Sequence, residues 1–164
     1  MVQSYSPRLK FFVDVMLGKL SRWLRILGYD AAYERNITDE AIVDRVLQEG
    51  RWLLTRDRYL VQRKAVQGRF TLIHSDFVID QLRQLQTEYR IKLDLQEETT
   101  CRCVGCNHPL EIIPPAQAGP RVPHFIATHH SHFTGCTNCG QLYWPGTHWS
   151  HLQQRLNLVR QASS

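Results

Sequence analysis

The sequence predicts an α/β fold, a parallel sheet flanked by helices, with a small cysteine-rich module behind it. Three observations lead there. Short apolar segments alternate with segments of helical period through the first ninety or so residues, the alternation that builds a parallel sheet. Three of those apolar segments run directly toward an acid. Beyond residue 100 the composition changes: that part holds all five cysteines, seven of the eight histidines, 4 basic residues and 1 acidic one, against 16 basic and 14 acidic residues in positions 1–100. The shift sets a boundary between an α/β domain over 1–98 and a second module over 99–164.

The totals exclude several classes. With 164 residues, 43% hydrophobic and 21% charged, the chain is too apolar for a disordered protein and long enough to bury a core without disulfides. No apolar run approaches the roughly 18 residues of a membrane span. The first ten residues are mixed and polar, without the apolar region of a signal peptide, so the cytosol is the expected compartment. The formal charge of +5 agrees with a nucleic-acid partner and does not by itself require one.

Lys10 to Val13 reads as a buried strand that ends on Asp14. Leu17, Leu20, Trp23, Leu24 and Leu27 then recur at helical spacing, with Gly28 placed to stop the helix. Lys19, Arg22 and Arg25 occupy another side of it. Tyr29 to Tyr33 gives a short second strand. Thr38 is a plausible N-cap for a helix that turns Ile42, Val43, Val46 and Leu47 inward and stops near Gly50. Trp52 to Thr55 is a third strand, followed by Arg56 and Asp57. Tyr59 to Val66 reads as helical. Phe70 to His74 is a fourth strand, leading to Ser75 and Asp76, and Phe77, Ile79, Leu82 and Leu85 mark a last helix.

In an open parallel sheet the functional crevice lies beyond the carboxyl ends of the strands. Asp14, Asp57 and Asp76 belong there, and Asp39 opens a helix on the same edge. Clustered carboxylates repel unless a cation neutralises them, and hard oxygen donors suit Mg²⁺ or Mn²⁺, which activate water against a phosphodiester. For Asp39 and Asp76, helix capping is an equally good explanation. Asp14 and Asp57 are harder to explain away, because an acid at the mouth of a buried strand is costly without a partner. Asp80 is a weaker candidate, and Glu40 and Asp44 are expected in solvent. Lys19 and Arg22 are expected to contact substrate phosphates, and Arg25 to be solvated; Arg56, beside Asp57, is counted with the substrate contacts.

In the second module, Cys103-x2-Cys106 and Cys136-x2-Cys139 form two knuckles, the four thiolates of a structural zinc ribbon. Cys101 does not fit the two-residue spacing. The stretch between the knuckles, with Pro114-Pro115 and His124, His129, His130 and His132, is expected to be a hairpin with a flexible excursion whose histidines are simply exposed. Past Gly140, Trp144 is expected to pack the ribbon. His148 and Trp149 have two open readings, stacking on unpaired bases or packing.

The segments Phe12-Val-Asp-Val-Met-Leu-Gly-Lys-Leu-Ser-Arg-Trp-Leu-Arg-Ile-Leu-Gly28, Leu53-Leu-Thr-Arg-Asp57, Arg102-Cys-Val-Gly-Cys-Asn107, Cys136-Thr-Asn-Cys-Gly140 and Tyr143-Trp-Pro-Gly-Thr-His-Trp149 together resemble the Mut-seven C-terminal RNase domain family. The resemblance covers about residues 10–152. It implies a PIN-like nuclease fold followed by a zinc ribbon, and metal-dependent cleavage of RNA. It places catalytic acids at Asp14, Asp39, Asp57 and Asp76, with Mg²⁺ or Mn²⁺ at Asp14, Asp57 and Asp76. Substrate contacts are expected from Lys19, Arg22, Arg56, His148 and Trp149. Val15 stands where the family often has a small residue, and positions 114–135 match poorly, so their histidines inherit no role. The expected function is an endonucleolytic, metal-dependent ribonuclease. The alternative is a non-catalytic RNA- or ribosome-binding zinc-ribbon protein. Neither involves a membrane.

Overall fold

The computed structural model describes residues 9–95 and 101–161, the side chains of Thr147 and His148 excepted. Four strands, β1 (Phe11–Val13), β2 (Ala31–Ala32), β3 (Trp52–Thr55) and β4 (Phe70–Leu72), form a parallel sheet in the order β2-β1-β3-β4. Successive side chains of a strand point to opposite faces. Phe11, Val13 and Leu54 therefore meet Leu20 and Leu24 of helix α1 (Gly18–Ile26) and Leu82 and Leu85 of helix α3 (Val78–Tyr89). Phe12 and Leu53 face the other way, onto Ile42, Val43 and Val46 of α2 (Asp39–Gln48). Burial on both faces is why these strands read as unbroken apolar runs.

The helix ends follow local chemistry. The Thr38 hydroxyl accepts from the Ala41 N–H at 3.3 Å and caps α2. Gly28 takes φ 87°, the left-handed conformation that ends α1 without a Cβ penalty. Two expectations need correction. Leu47 is 43% exposed rather than inward, because it falls about 100° further round the helix than Val46. Tyr59 to Val66 is not one α-helix but two single 3₁₀ turns, Leu60–Gln62 and Lys64–Val66. Arg63 between them is extended, with ψ 125°, and Leu60 and Val66 still fill the α2 side of the core.

The second module is a three-stranded antiparallel sheet of β5 (Glu111–Ile113), β6 (Phe133–Gly135) and β7 (Leu142–Tyr143). The stretch between β5 and β6 is helical, not a simple excursion: it holds α4 (Pro115–Ala118) and α5 (His124–His129). Ala118 of α4 is buried against Phe133 and Leu142. The last helix, α6 (Thr147–Gln161), then returns to the parallel sheet's side of the molecule. Its Leu156 and Val159 are buried in the same cluster as Phe11, Leu20, Leu24 and Leu82. The Arg83 guanidinium of α3 donates to the Leu158 carbonyl at 3.3 Å. No described helix is long and apolar enough to cross a membrane.

Candidate active site and metal centre

Asp14 follows β1, Asp57 lies two residues past β3 and Asp76 four past β4. Because β1, β3 and β4 are consecutive neighbours in the sheet, all three acids stand at its carboxyl edge. Asp14 is only 4% exposed. Its N–H extends the ladder to the Leu54 carbonyl at 2.9 Å. One carboxylate oxygen accepts from the Val15 N–H and the other from the Thr55 hydroxyl, each at 2.6 Å. The same Thr55 oxygen accepts from the Asp57 N–H at 2.9 Å. Thr55 thus fixes both acids relative to each other, a role hidden in the sequence by its place as the last residue of an apolar strand. The Thr55 hydroxyl is fully buried and finds both its partners in these two acids.

The capping roles differ from the sequence expectation. Asp57, not Asp76, caps the chain that follows it: one carboxylate oxygen accepts from the N–H groups of Tyr59 at 2.7 Å and Leu60 at 3.2 Å. Asp76 makes no cap on α3, whose preceding N–H, that of Phe77, goes to the Ser75 hydroxyl at 3.0 Å. Asp76 is exposed and ion-paired to Arg56. Asp39 lies 3.6 Å from the Arg63 guanidinium, which bonds more closely to Glu40 at 2.9 Å. The four aspartates do not draw together as tightly as the cysteines described below; among the described residues only those thiols place three or more potential ligand atoms all within 4.8 Å of one another.

Beside these acids runs an open groove of about 610 Å³. Lys19, Arg22, Arg35, Arg56 and Asp76 line it, with Tyr33 and Met16, while Asp14, Asp39 and Asp57 lie outside its walls. Lys19, Arg22 and Arg35 make no ion pair among the described residues. Tyr33 donates its hydroxyl to the Val15 carbonyl at 3.2 Å. That approach depends on Gly18, where a Cβ would sit 3.0 Å from the Tyr33 oxygen. Tyr33 and Arg35 carry no sequence signal of their own and enter the site through the β2–α2 loop.

The metal centre is unambiguous in its ligands. Cys103, Cys106, Cys136 and Cys139 converge, with sulfur separations of 3.5 Å for Cys103–Cys139 and 3.3 Å for Cys106–Cys136. Those distances are far too long for disulfides. They are close to the roughly 3.8 Å edge of a tetrahedron built on Zn–S bonds of about 2.3 Å. Burial pushes the Cys106 thiol up, but hydrogen bonds from Asn138, the His108 backbone and the neighbouring thiols more than offset it, leaving about 6. Burial and the adjoining Cys106 push Cys136 up to about 12. This thiol set fits Zn²⁺, whose binding replaces the protons. The Tyr143 hydroxyl, 3.2 Å from the Cys103 sulfur, accepts from the Val104 N–H at 3.2 Å and supports the site from outside. Cys101 is not among the four and packs beside Leu110.

Arg25 corrects a further expectation. It is not solvated but 4% exposed. Its guanidinium donates to the Ala31 carbonyl at 2.9 Å and, across to the first knuckle, to the carbonyls of Val104 at 2.7 Å and Gly105 at 3.3 Å. Steps of three residues each rotate about 300°, so Arg25 sits about 120° round α1 from Lys19. Asn107, in the left-handed region at φ 69°, completes the join. Its side chain accepts from the Ala31 N–H at 3.0 Å and donates to Asp30 at 2.7 Å. Trp149 packs against Cys101, Cys103, Leu110 and Cys136 and lines an apolar cavity of about 170 Å³ under the ribbon, which gives it a packing role. Trp144 packs as expected. The His148 side chain lies outside the described residues.

The model of the Mut7-C RNAse domain family matches residues 9–156. The chain belongs to this family. No curated protein and no solved structure matches it. The Mut7-C match covers the parallel sheet, both knuckles and α6 as far as Leu156. It ties the chain to nucleases and, through the family's description, to RNA.

Proposed function

We propose that this protein is a metal-dependent ribonuclease that cuts RNA endonucleolytically, with the α/β domain of residues 1–98 carrying catalysis and residues 99–164 extending the RNA surface. One observation carries the reading: acids follow three neighbouring parallel strands, and next to them opens a groove in which Lys19, Arg22 and Arg35 make no ion pair among the described residues. Asp14, Asp57 and Asp76 supply hard oxygen donors suited to Mg²⁺ or Mn²⁺, with Asp39 assisting from the first turn of α2. When bound, such an ion lowers the pKa of water and stabilises charge on phosphate oxygens.

The protein's own groups do the rest. Thr55 and the Val15 N–H hold the Asp14 carboxylate in one orientation. Lys19 and Arg22 bind the phosphates on either side of the scissile one. Arg56, released from Asp76, neutralises charge that builds on the phosphoryl oxygens. The oxygen of water bonds to phosphorus and gives up one proton, the bond to the leaving ribose oxygen breaks, and that oxygen takes up one proton, so no net proton is gained or lost in the cut. Purified protein with Mn²⁺ should cleave single-stranded RNA, and Asp14→Asn should lower the rate by about 100-fold or more. A variant that cleaves like the wild type removes Asp14 from the mechanism.

A second reading, a non-catalytic RNA-binding protein, draws on the commitment of Asp57 to its turn and of Asp76 to Arg56. RNA binding without Mn²⁺-dependent cleavage would select it.

A further inference from the structure

A second groove, of about 1330 Å³, runs between α1, α3 and α6. It shares Lys19, Arg22, Asp76, Val78 and Val104 with the groove beside the acids, so the two form one continuous channel. Phe77 stands at the junction, immediately after Asp76, and is 74% exposed. Its exposure is not fraying: its N–H is held by the Ser75 hydroxyl and its carbonyl accepts from the Gln81 N–H at 3.1 Å. Further along, α6 contributes His151 and Arg155, and Leu158, itself 61% exposed.

The charge along this wall is one-sided. Lys19, Arg22, Arg83 and Arg155 line it against a single acid, Asp76. Arg83 is occupied by Asp80 and the Leu158 carbonyl, and so fixes α6 to α3. Arg155 makes no ion pair among the described residues. Cations spaced along exposed apolar and aromatic side chains match a strand whose phosphates and base faces are both accessible. A duplex offers the phosphates but keeps its base faces stacked inside.

We propose that the groove between α1, α3 and α6 is the binding track for an unpaired stretch of RNA, with Phe77 as the platform on which a base stacks as the strand leaves the acids. Arg155 meets a phosphate further along. The direction of the strand relative to the cut rests on the nuclease reading; the track itself does not.

The test is binding of labelled RNA to the full chain in zinc but without Mg²⁺ or Mn²⁺, so that no cleavage intervenes. The probes are single strands of about 4 and about 16 nucleotides and a duplex of the longer one. The long single strand should bind best. Phe77→Ala should weaken it by about 5-fold or more, and Phe77→Trp should restore it, because any π-face serves. Arg155→Glu should weaken the long strand more than the short one, and lower the salt slope by about 0.7 for each phosphate the side chain no longer neutralises. Wild-type affinity in both Phe77→Ala and Arg155→Glu overturns the track, as does equal affinity for duplex. Absence of RNA binding by the wild type overturns it too. Track-dependent binding without cleavage in Mn²⁺ would retain the track and reject the nuclease; cleavage with unaffected variants would do the reverse.

Discussion

The two sheets of this protein are held together by opposite means. The parallel sheet buries Phe11, Phe12, Leu53 and Leu54 completely and is covered by helices on both faces. The antiparallel sheet of the ribbon leaves Ile112 70% exposed and gathers only two small clusters, one around its cysteines and one of Ala118, Phe133 and Leu142. One is an apolar core that needs no ligand; the other is too small to stand on its apolar clusters alone and adds four thiols suited to a structural zinc ion. The join between them combines both kinds of contact: a polar one built on Arg25, Asp30 and Asn107, and the apolar return of α6 into the parallel-sheet core through Leu156 and Val159. The contrast predicts where the molecule can be taken apart.

Zinc removal should have the largest effect. Structural zinc sites of this type bind with an apparent free energy on the order of 10 kcal/mol near pH 7. Chelation should therefore abolish amide protection at Cys136 and Gly140, while the β1–β3 pairing retains most of its protection. Hydrogen exchange with and without chelator reads both. Equal loss in the two sheets would show that the ribbon supports the core rather than hanging from it.

Breaking the join comes next. Arg25→Ala leaves three carbonyls without their donor in a buried setting and should cost about 2–4 kcal/mol in chemical denaturation. Arg25→Lys should recover little, since a single ammonium does not reproduce the guanidinium's spread of donors. A loss below about 0.5 kcal/mol would mean that solvent reaches those carbonyls.

The smallest effect is a pH dependence at the same join. Burial pushes the Asp30 carboxyl up, but hydrogen bonds from Arg51 and Asn107 and the charges of Arg51 and Arg102 outweigh it and hold it below the usual carboxylate range. A lowered folded-state pKa means stability that is present above about pH 4, the unfolded value, and lost as pH falls through the folded one. Asp30→Asn should flatten the acid limb of a stability profile. An unchanged limb would place the acid sensitivity elsewhere.

Much of this fold is legible in the sequence. The strands announce themselves because burial on both faces forces continuous apolar runs, and the knuckles because tetrahedral zinc fixes cysteine spacing. Asp14, Asp57 and Asp76 can be placed at one edge because each follows a strand. Arg25 cannot be read correctly: its spacing from Lys19 and Arg22 suggests a shared face, and only the rotation per residue, combined with a partner 79 positions away at Val104, reveals the burial. Thr55, Tyr33 and Arg35 act through partners distant in sequence and have no local signature. The helical expectation for Tyr59 to Val66 fails at Arg63, whose extended backbone interrupts the segment and leaves two separate 3₁₀ turns, although the Asp57 carboxylate caps its first N–H groups as it would cap a helix.

The return of α6 has a consequence for the order in which the molecule can assemble. Leu156 and Val159 share a cluster with Phe11 and Leu20, so completing that core means closing a loop of well over a hundred residues. Loop-closure entropy rises with the logarithm of length. A zinc ion gripping Cys103 and Cys139 draws together two points 36 residues apart along that loop, and Arg25 pins the gripped knuckle to α1. Such an ion would therefore serve as a shortcut in the chain's search, bringing the far helix close to a core it would otherwise have to find across the full length of the sequence.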